Sequence, residues 1–322
     1  MRSYDLIIVG AGPAGLSCAI AASNRKINYL LIDKGNVVNS IIHFPSNMIF
    51  FSTPDQMEIG DLPFNSQGIR PTRVEAVKYY QGLAKHYNIP LRLHTKVIRI
   101  TRDSDLFCVH MQQKHNHRSV LAKNVILATG YYDNPNYINI PGEQLDHVSH
   151  YYQEPFQYFK QRVAIVGGKN SAVEAALDLH RHGAQVTLIH RQPELKESVK
   201  YWILPDIINR IKEGSIKAYL NANVQSIDQD HVYLLKNGEI KKLQADAVFI
   251  LTGYLPDIDI LDMCQIEYNK QTLHPKIKRK TLESKITGLY LAGSLIAGRN
   301  ANKIFIENSR QHGEIILSDI IR

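Results

Sequence analysis

Short, uninterrupted apolar runs recur along the chain, and several of them are followed by glycine or another small residue. Residues 6–9 and 29–32 form two such runs, and the segment between them has a helical composition. Runs of this length predict strands that are buried on both faces, and their alternation with helices predicts a parallel sheet. Similar runs at 125–128, 163–166 and 249–251 extend the pattern. We therefore predict an α/β fold.

The turn after the first run carries a glycine fingerprint, Gly10-Ala11-Gly12-Pro13-Ala14-Gly15, and the second run ends on Asp33. Gly10 permits a tight turn, Gly12 lets a pyrophosphate approach the backbone, and Gly15 lets helix and strand pack closely. The helix N-terminus offers N–H groups to the phosphates, and the Asp33 carboxylate can accept hydrogen bonds from a ribose diol. This unit predicts a dinucleotide site.

The same unit occurs a second time, where the chain reads RVAIVGGKNSAVEAAL from residue 162 and continues with GAQVTLIHR. Gly167 aligns with Gly10, and His190 aligns with Asp33 at the same spacing. Two such units predict two dinucleotide sites. Lys169 stands at the second fingerprint glycine, so we expect its backbone to take a conformation that glycine adopts more easily, or the nucleotide to approach differently.

The end of the second unit favours a phosphorylated cofactor. His190 and Arg191 stand where the first copy has an acid, which would repel a 2′-phosphate, whereas a guanidinium can hold it with two hydrogen bonds. Lys196 and Lys200 follow closely and add positive charge. We predict NADPH at the second site and an unphosphorylated dinucleotide at the first.

Further small residues follow other buried runs, namely Ala128-Thr129-Gly130, Thr252-Gly253 and, before a helix predicted near Ala301 or Asn302, Gly293-Ser294. Such residues let a cofactor approach the backbone, and a helix N-terminus can stabilise negative charge on a reduced flavin. This layout resembles that of the two-dinucleotide flavoprotein reductases, which implies FAD at the first site. We expect two Rossmann-like domains, with an NADPH domain (141–254) inserted into a split FAD domain (1–140 and 255–322).

With these motifs the chain resembles thioredoxin-reductase-like flavoproteins over its whole length, and most closely the bacillithiol disulfide reductase group. The blocks that carry the resemblance are KGNVVNSI (34–41), FFS (50–52), EIGD (58–61), ATGYYDNPNY (128–137), GGKNSA (167–172), SVKYWILP (198–205) and ANKIFIEN (301–308).

The resemblance implies two sets of binding residues. The set around FAD is Gly10, Gly12, Pro13, Ala14, Asp33, Lys34, Asn39, Ser52, Val97, Thr129, Gly130, Gly293, Ser294 and Ile304. The set around NADPH is Gly168, Asn170, Ser171, Arg191 and Lys200.

Two residues depart from the pattern of the family. The group typically has a cysteine in its fingerprint, proposed as the redox-active thiol, and this chain has Ala14 there. In the wider superfamily an aspartate follows the glycine of the C-terminal flavin motif, and this chain has Ser294, whose hydroxyl can still hydrogen-bond a ribityl group. No catalytic residue is therefore assigned.

The three cysteines, Cys18, Cys108 and Cys264, are far apart and form no CxxC pair. This arrangement argues against an internal dithiol relay to thioredoxin, a disulfide framework or a zinc site, and we expect all three in the core. No other cluster predicts a metal site, because His115 and His117 belong to a polar hairpin turn.

Composition limits the remaining classes. The 322 residues are 44% apolar and 21% charged, as in folded globular proteins, and the net charge of +8 is scattered, which argues against a nucleic-acid partner. No run reaches the roughly 18 apolar residues of a membrane helix. We expect a cytoplasmic protein and, by analogy with relatives of this kind, a homo-oligomer.

Three functional hypotheses follow. In the first, hydride passes from NADPH to FAD, and the enzyme reduces a low-molecular-weight disulfide such as bacillithiol disulfide. In the second, an NADPH:ferredoxin, flavodoxin or quinone reductase works without a thiol, which suits Ala14. In the third, the chain is a flavin-based redox sensor with negligible turnover.

Overall fold

A computed structural model describes residues 1–195, 199–300 and 303–322. The chain forms two compact units. The first unit comprises Met1–His43, Ile49–Asn134 and Tyr254–Arg322, and the second comprises Phe44–Met48 and Pro135–Gly253. In sequence, the larger part of the second unit therefore lies between two stretches of the first.

The elements are numbered in chain order. The strands are β1 Arg2–Val9, β2 Tyr29–Ile32, β3 Leu91–Arg92, β4 Lys96–Asp103, β5 Leu106–Gln113, β6 Asn116–Leu127, β7 Val148–Ser149, β8 Arg162–Val166, β9 Gln185–His190, β10 Lys217–Leu220, β11 Ala222–Ile227, β12 His231–Lys236, β13 Glu239–Gln244, β14 Ala247–Ile250 and β15 Leu289–Leu291. The α-helices are α1 Pro13–Asn24, α2 Asn39–Ile42, α3 Pro54–Met57, α4 Arg73–His86, α5 Asn170–Arg181, α6 Leu204–Lys212, α7 Ile258–Met263, α8 Ile306–Ser309 and α9 His312–Ile320. Short 3-10 helices cover Phe156–Tyr158 and Gly293–Ala297.

The first unit is built on a seven-stranded sheet in the order β3-β2-β1-β6-β5-β4, and β15 pairs with the end of β6. Strands β3, β2, β1, β6 and β15 run parallel to one another, whereas β6, β5 and β4 form an antiparallel meander. The apolar run of β1 explains its central place, because Leu6, Ile7 and Ile8 are fully buried.

The second unit repeats the parallel arrangement in a five-stranded sheet ordered β10-β9-β8-β14-β7. A separate antiparallel sheet of β11, β12 and β13 packs beside it in one core with Ile189, Val232 and Ile250. Helix α5 packs its apolar face, including Val173 and Leu177, into a second core of this unit. The predicted α/β fold with two Rossmann-like parallel sheets is confirmed.

Helix α4 of the first unit begins at a reciprocal cap. Thr72 Oγ1 accepts the Glu75 N–H at 3.3 Å, and a carboxylate oxygen of Glu75 accepts the Thr72 N–H at 2.8 Å. Such a capping box satisfies two N–H groups that the first helical turn leaves unpaired. Within the part of the chain that the structure describes, no helix has the length and apolar character required to cross a membrane.

Candidate functional site

The carboxyl ends of four parallel strands lie side by side at one edge of the first unit's sheet. Val9 pairs with Ile32 on β2 and with Leu127 on β6, and Leu127 pairs with Leu291 on β15. Ligands of open parallel sheets bind outside such strand ends. The predicted residues that follow these four strands are Gly10, Asp33, Thr129, Gly130, Gly293 and Ser294.

The turn between β1 and α1 has no room for side chains at two of its glycines. A Cβ atom on Gly10, whose φ is +108°, would lie 2.3 Å from the Ala128 carbonyl oxygen, and one on Gly15 would lie 1.8 Å from the Gly10 carbonyl oxygen. Gly12 is different, because no described atom lies within 4 Å of a Cβ placed there. The turn is therefore closed toward the sheet and open at Gly12, where a phosphate can reach the start of α1.

Asp33 closes this turn from the end of β2. One carboxylate oxygen accepts the Ala11 N–H at 2.6 Å, and the other accepts the Gly35 N–H at 2.7 Å. Burial raises the pKa of Asp33, although these two backbone donors act in the opposite direction. The half-buried carboxylate is thus fixed in orientation, and it retains acceptor capacity for a ligand hydroxyl.

Thr129 provides a second polar group at the same edge. Its Oγ1 atom is buried and has no hydrogen-bond partner among the described residues. Ser294 Oγ lies close by, 3.8 Å from a Cβ placed on Gly130. Because a buried hydroxyl without a partner is costly, Thr129 points to a polar ligand at this edge. The open turn, the fixed carboxylate and this hydroxyl fit a dinucleotide cofactor.

Ala14 packs directly against the Gly293 turn. A Cβ on Gly293, whose φ is +70°, would lie 2.8 Å from the Ala14 Cβ, so both positions require small residues. The Gly293 N–H donates to Nδ1 of His312 at 3.0 Å. Burial lowers the pKa of His312 to about 4. His312 was not among the predicted residues, since nothing local separates it from a surface histidine at a helix start.

The other residues predicted around FAD have varied placements. Lys34 forms an ion pair with Asp133 at 2.9 Å, and the Ser52 hydroxyl bonds to Glu307. Asn39 Oδ1 accepts the Asn36 N–H at 3.3 Å, while the Val97 side chain is buried in the core. Pro13 is the first residue of α1, and Ile304 is half-buried. The predicted Ala301 and Asn302 lie outside the described residues.

Cys18 and Cys264 lack the surroundings of a reactive thiol. Burial raises the pKa of both Cys18 and Cys264 to about 12. Cys108 is half-buried on β5. Reactive cysteines are thiolates in exposed, electropositive places, so neither Cys18 nor Cys264 fits the role of the cysteine that is missing at Ala14. Among the described residues no group of three or more His, Cys, Asp or Glu side chains could hold a metal ion.

The second fingerprint has the same backbone course with a different closing residue. Lys169, which precedes α5, has φ −108° and ψ −172°, an extended conformation open to any residue. The glycine-like backbone considered for Lys169 is therefore absent. A Cβ on Gly168 would lie 2.3 Å from the His190 Nδ1 atom, so the imidazole occupies the space above this turn.

The basic residues near this turn differ in exposure. Arg191 is exposed, and no ion pair of Arg191 occurs within the described part of the chain. Lys200 is only 6% exposed, and its ammonium forms an ion pair with Glu174, while Asn170 Oδ1 accepts the Lys200 N–H at 2.7 Å. Ser171 is exposed on α5. Lys196, which was predicted to join them, and Ser198 lie outside the described residues.

Comparison with known proteins agrees with this picture. The family described as pyridine nucleotide-disulphide oxidoreductase matches residues 7–293. Bacilliredoxin reductase Bdr of Bacillus subtilis (strain 168) is 40% identical over 324 aligned positions, which cover 100% of this chain and 99% of that protein.

Two solved structures are similar over the whole chain. The bacillithiol disulfide reductase Bdr (YpdA) from Bacillus cereus has 37% identity and a TM-score of 0.97, with 99% of each chain covered. The protein of the same name from Staphylococcus aureus has 37% identity and a TM-score of 0.95, with 100% of this chain and 99% of that chain covered. The resemblance inferred from the sequence blocks is confirmed.

Proposed function

The chain belongs to the pyridine nucleotide-disulphide oxidoreductase family, and from that premise we propose that it is an NADPH-dependent FAD enzyme that reduces a low-molecular-weight disulfide such as bacillithiol disulfide. Membership makes the chain an oxidoreductase and implies a flavin and a nicotinamide dinucleotide as cofactors. The observation that carries the proposal is the similarity to bacilliredoxin reductase over the full length of both chains. A cytoplasmic location and a homo-oligomeric state remain predictions.

The first unit supplies the residues for FAD. Gly12 leaves the start of α1 open to a pyrophosphate, Asp33 is oriented to accept from a ribose hydroxyl, and Thr129 offers a buried hydroxyl. Ser294 stands beside Gly130 at the same edge. When bound here, FAD would supply the two-electron redox chemistry between NADPH and the acceptor.

The second unit supplies the residues for NADPH. The exposed Arg191 guanidinium suits a 2′-phosphate, and the N-terminus of α5 at Asn170 and Ser171 suits the pyrophosphate. Lys200 is held by Glu174, and burial raises the pKa of that carboxyl against the effect of the ammonium. We therefore propose Arg191, rather than Lys200, as the main determinant for NADPH over NADH.

The overall reaction consumes one NADPH, one proton and one disulfide, and it yields NADP⁺ and two thiols. The test is to add bacillithiol disulfide to the FAD-loaded protein and to follow NADPH oxidation. We expect acceleration over the rate without disulfide. A matched Ala14→Cys variant introduces the thiol typical of the group. Equal NADPH oxidation with and without disulfide in the wild-type protein would contradict the proposal.

A second candidate function is direct transfer to a ferredoxin, a flavodoxin or a quinone. The observation that favours it is the lack of a thiol at Ala14, together with the burial of Cys18 and Cys264. Turnover with such an acceptor should persist after treatment with a thiol-alkylating reagent. Selective loss of turnover after alkylation would exclude this candidate. No feature of the residues that the structure describes favours the redox-sensor hypothesis.

A further inference from the structure

The 3-10 helix Gly293–Ala297, which we call the Gly293 turn, follows β15 at the proposed FAD site. Its first residue packs against Ala14, and its second residue is Ser294. A short helix leaves N–H groups unpaired at its start and carbonyl groups unpaired at its end. Two histidine side chains bind these two ends.

His312 binds the start of the turn. Its Nδ1 lies 3.0 Å from the Gly293 nitrogen, and its side chain is 6% exposed. Because a backbone N–H can only donate, Nδ1 must be the acceptor and carries no proton. The neutral ring then carries its proton on Nε2. The lowered pKa of His312, which is caused by burial, agrees with a neutral ring.

His274 binds the other end of the turn. Its Nδ1 lies 3.1 Å from the Ile296 carbonyl oxygen, which can only accept, so Nδ1 of His274 must carry a proton. The segment before His274 is fixed to the end of the turn, because the Arg299 N–H donates to the Thr272 carbonyl at 2.8 Å. A Cβ on Gly298 would lie 2.3 Å from that carbonyl oxygen, which shows how closely the two segments pack.

We propose that His312 and His274 are a pair of positioning residues that hold the two ends of the Gly293 turn through opposite proton arrangements at Nδ1. The pair fixes the backbone of Gly293 and Ser294, which lines the proposed FAD site. This inference rests on the proposed function only where it concerns FAD. The proton arrangement itself is a property of the first unit.

The proton arrangement is tested by NMR of the protein labelled with ¹⁵N-histidine at neutral pH. His312→Asn and His274→Asn each remove one set of signals and so assign the rings. We expect a bare Nδ1 and a protonated Nε2 on His312, and a protonated Nδ1 on His274. A protonated Nδ1 on His312, or a bare one on His274, would overturn the proposal. This outcome does not depend on the reaction that the enzyme catalyses.

The positioning role is tested by FAD binding to the apoprotein. In His312→Asn, Oδ1 takes the place of Nδ1, so we expect a dissociation constant within about twofold of wild type. In His312→Leu the Gly293 N–H loses its acceptor, and we expect a roughly tenfold increase, as for a buried donor left unpaired. His274→Leu removes the donor at the half-buried end and should act in the same direction.

The matched control is His110→Leu, a half-buried histidine of β5 whose Nδ1 lies 2.8 Å from Ser119 Oγ. It should leave FAD affinity unchanged. Equal FAD affinity in wild type, His312→Leu and His274→Leu would contradict the positioning role. If His312→Leu does not fold, the FAD affinity of His274→Leu is compared with that of His274→Asn instead. Failure of wild type to bind FAD would instead contradict the proposed function.

Discussion

The two fingerprint turns share one backbone course but close it with different chemistry. In the first unit, Asp33 accepts the Ala11 N–H at 2.6 Å and so holds the turn with a carboxylate. In the second unit, the aligned His190 ring stands over Gly168, and exposed Arg191 follows it. The glycines thus form a common steric frame, and we propose that the residues at the end of the second strand determine which ligand each turn binds.

A second contrast concerns the two Thr-Gly pairs. Thr252 Oγ1 donates to the Asn136 carbonyl at 2.7 Å, whereas the buried Thr129 Oγ1 has no partner among the described residues. The same sequence motif is therefore internally satisfied in the second unit and left with unused hydrogen-bonding capacity in the first. This difference supports a polar ligand beside Thr129, at the carboxyl ends of the parallel strands in the first unit.

The largest expected effect is on stability, and it compares a glycine whose added Cβ would meet backbone atoms with one whose added Cβ would meet a side chain. Gly10→Ala would place its Cβ against the Ala128 carbonyl at a φ of +108°, so we expect a loss of about 3 kcal/mol or more in the free energy of unfolding. In Gly168→Ala the nearest atoms to the added Cβ belong to the His190 ring, a side chain that can move, so this variant should cost less stability. Denaturant unfolding of the apoproteins measures both. Equal losses would contradict the contrast.

The next largest effect is the pH dependence of stability that the buried, neutral His312 causes. The pKa of His312 is about 4 in the folded protein and about 6.5 when unfolded. The unfolded chain therefore takes up the proton first, and stability is lost as the pH falls from 6.5 to 4, by about 3 kcal/mol in total. Unfolding of wild type and His312→Asn across this range isolates the contribution. Parallel pH profiles would refute it.

Much of this contrast could be predicted from the sequence, because fingerprint chemistry is local. The turns, Asp33 and the exposed Arg191 depend on neighbours along the chain or on the next strand. The partner of Lys200 could not be predicted, since Glu174 reaches it from another element. His312 likewise becomes recognisable only when β15 brings Gly293 beside the start of α9.

A smaller effect, on nucleotide affinity, tests the difference between Asp33 at the end of β2 and Arg191, which follows β9. Arg191→Ala should weaken NADPH binding roughly thirtyfold, about 2 kcal/mol for a charge-assisted contact, and should leave NADH binding unchanged. Lys200→Ala removes a cation that Glu174 already holds and should have a weaker effect on the NADPH-to-NADH ratio. Titration of each variant with both cofactors gives the ratios. An unchanged ratio in Arg191→Ala would assign phosphate recognition elsewhere.

The smallest effect tests the different hydrogen bonding of Thr252 and Thr129. Thr252→Val removes a hydrogen bond to Asn136 and should cost about 1 kcal/mol of stability. Thr129→Val removes a hydroxyl without a protein partner, so the apoprotein should lose less, whereas FAD affinity should fall. Paired measurements of unfolding and FAD binding distinguish the two. We expect Thr252→Val to lose mainly stability and Thr129→Val to lose mainly FAD affinity.

The proposed function requires that the protein hold a flavin and that NADPH reduce this flavin. Stopped-flow absorbance of the FAD-loaded protein tests it most directly, with NADPH and NADH as reductants and bacillithiol disulfide added afterwards. We expect NADPH to bleach the flavin rapidly and faster than NADH does, and the disulfide to restore the flavin absorbance. A protein that stays colourless after incubation with FAD, or whose flavin NADPH does not bleach, would contradict it.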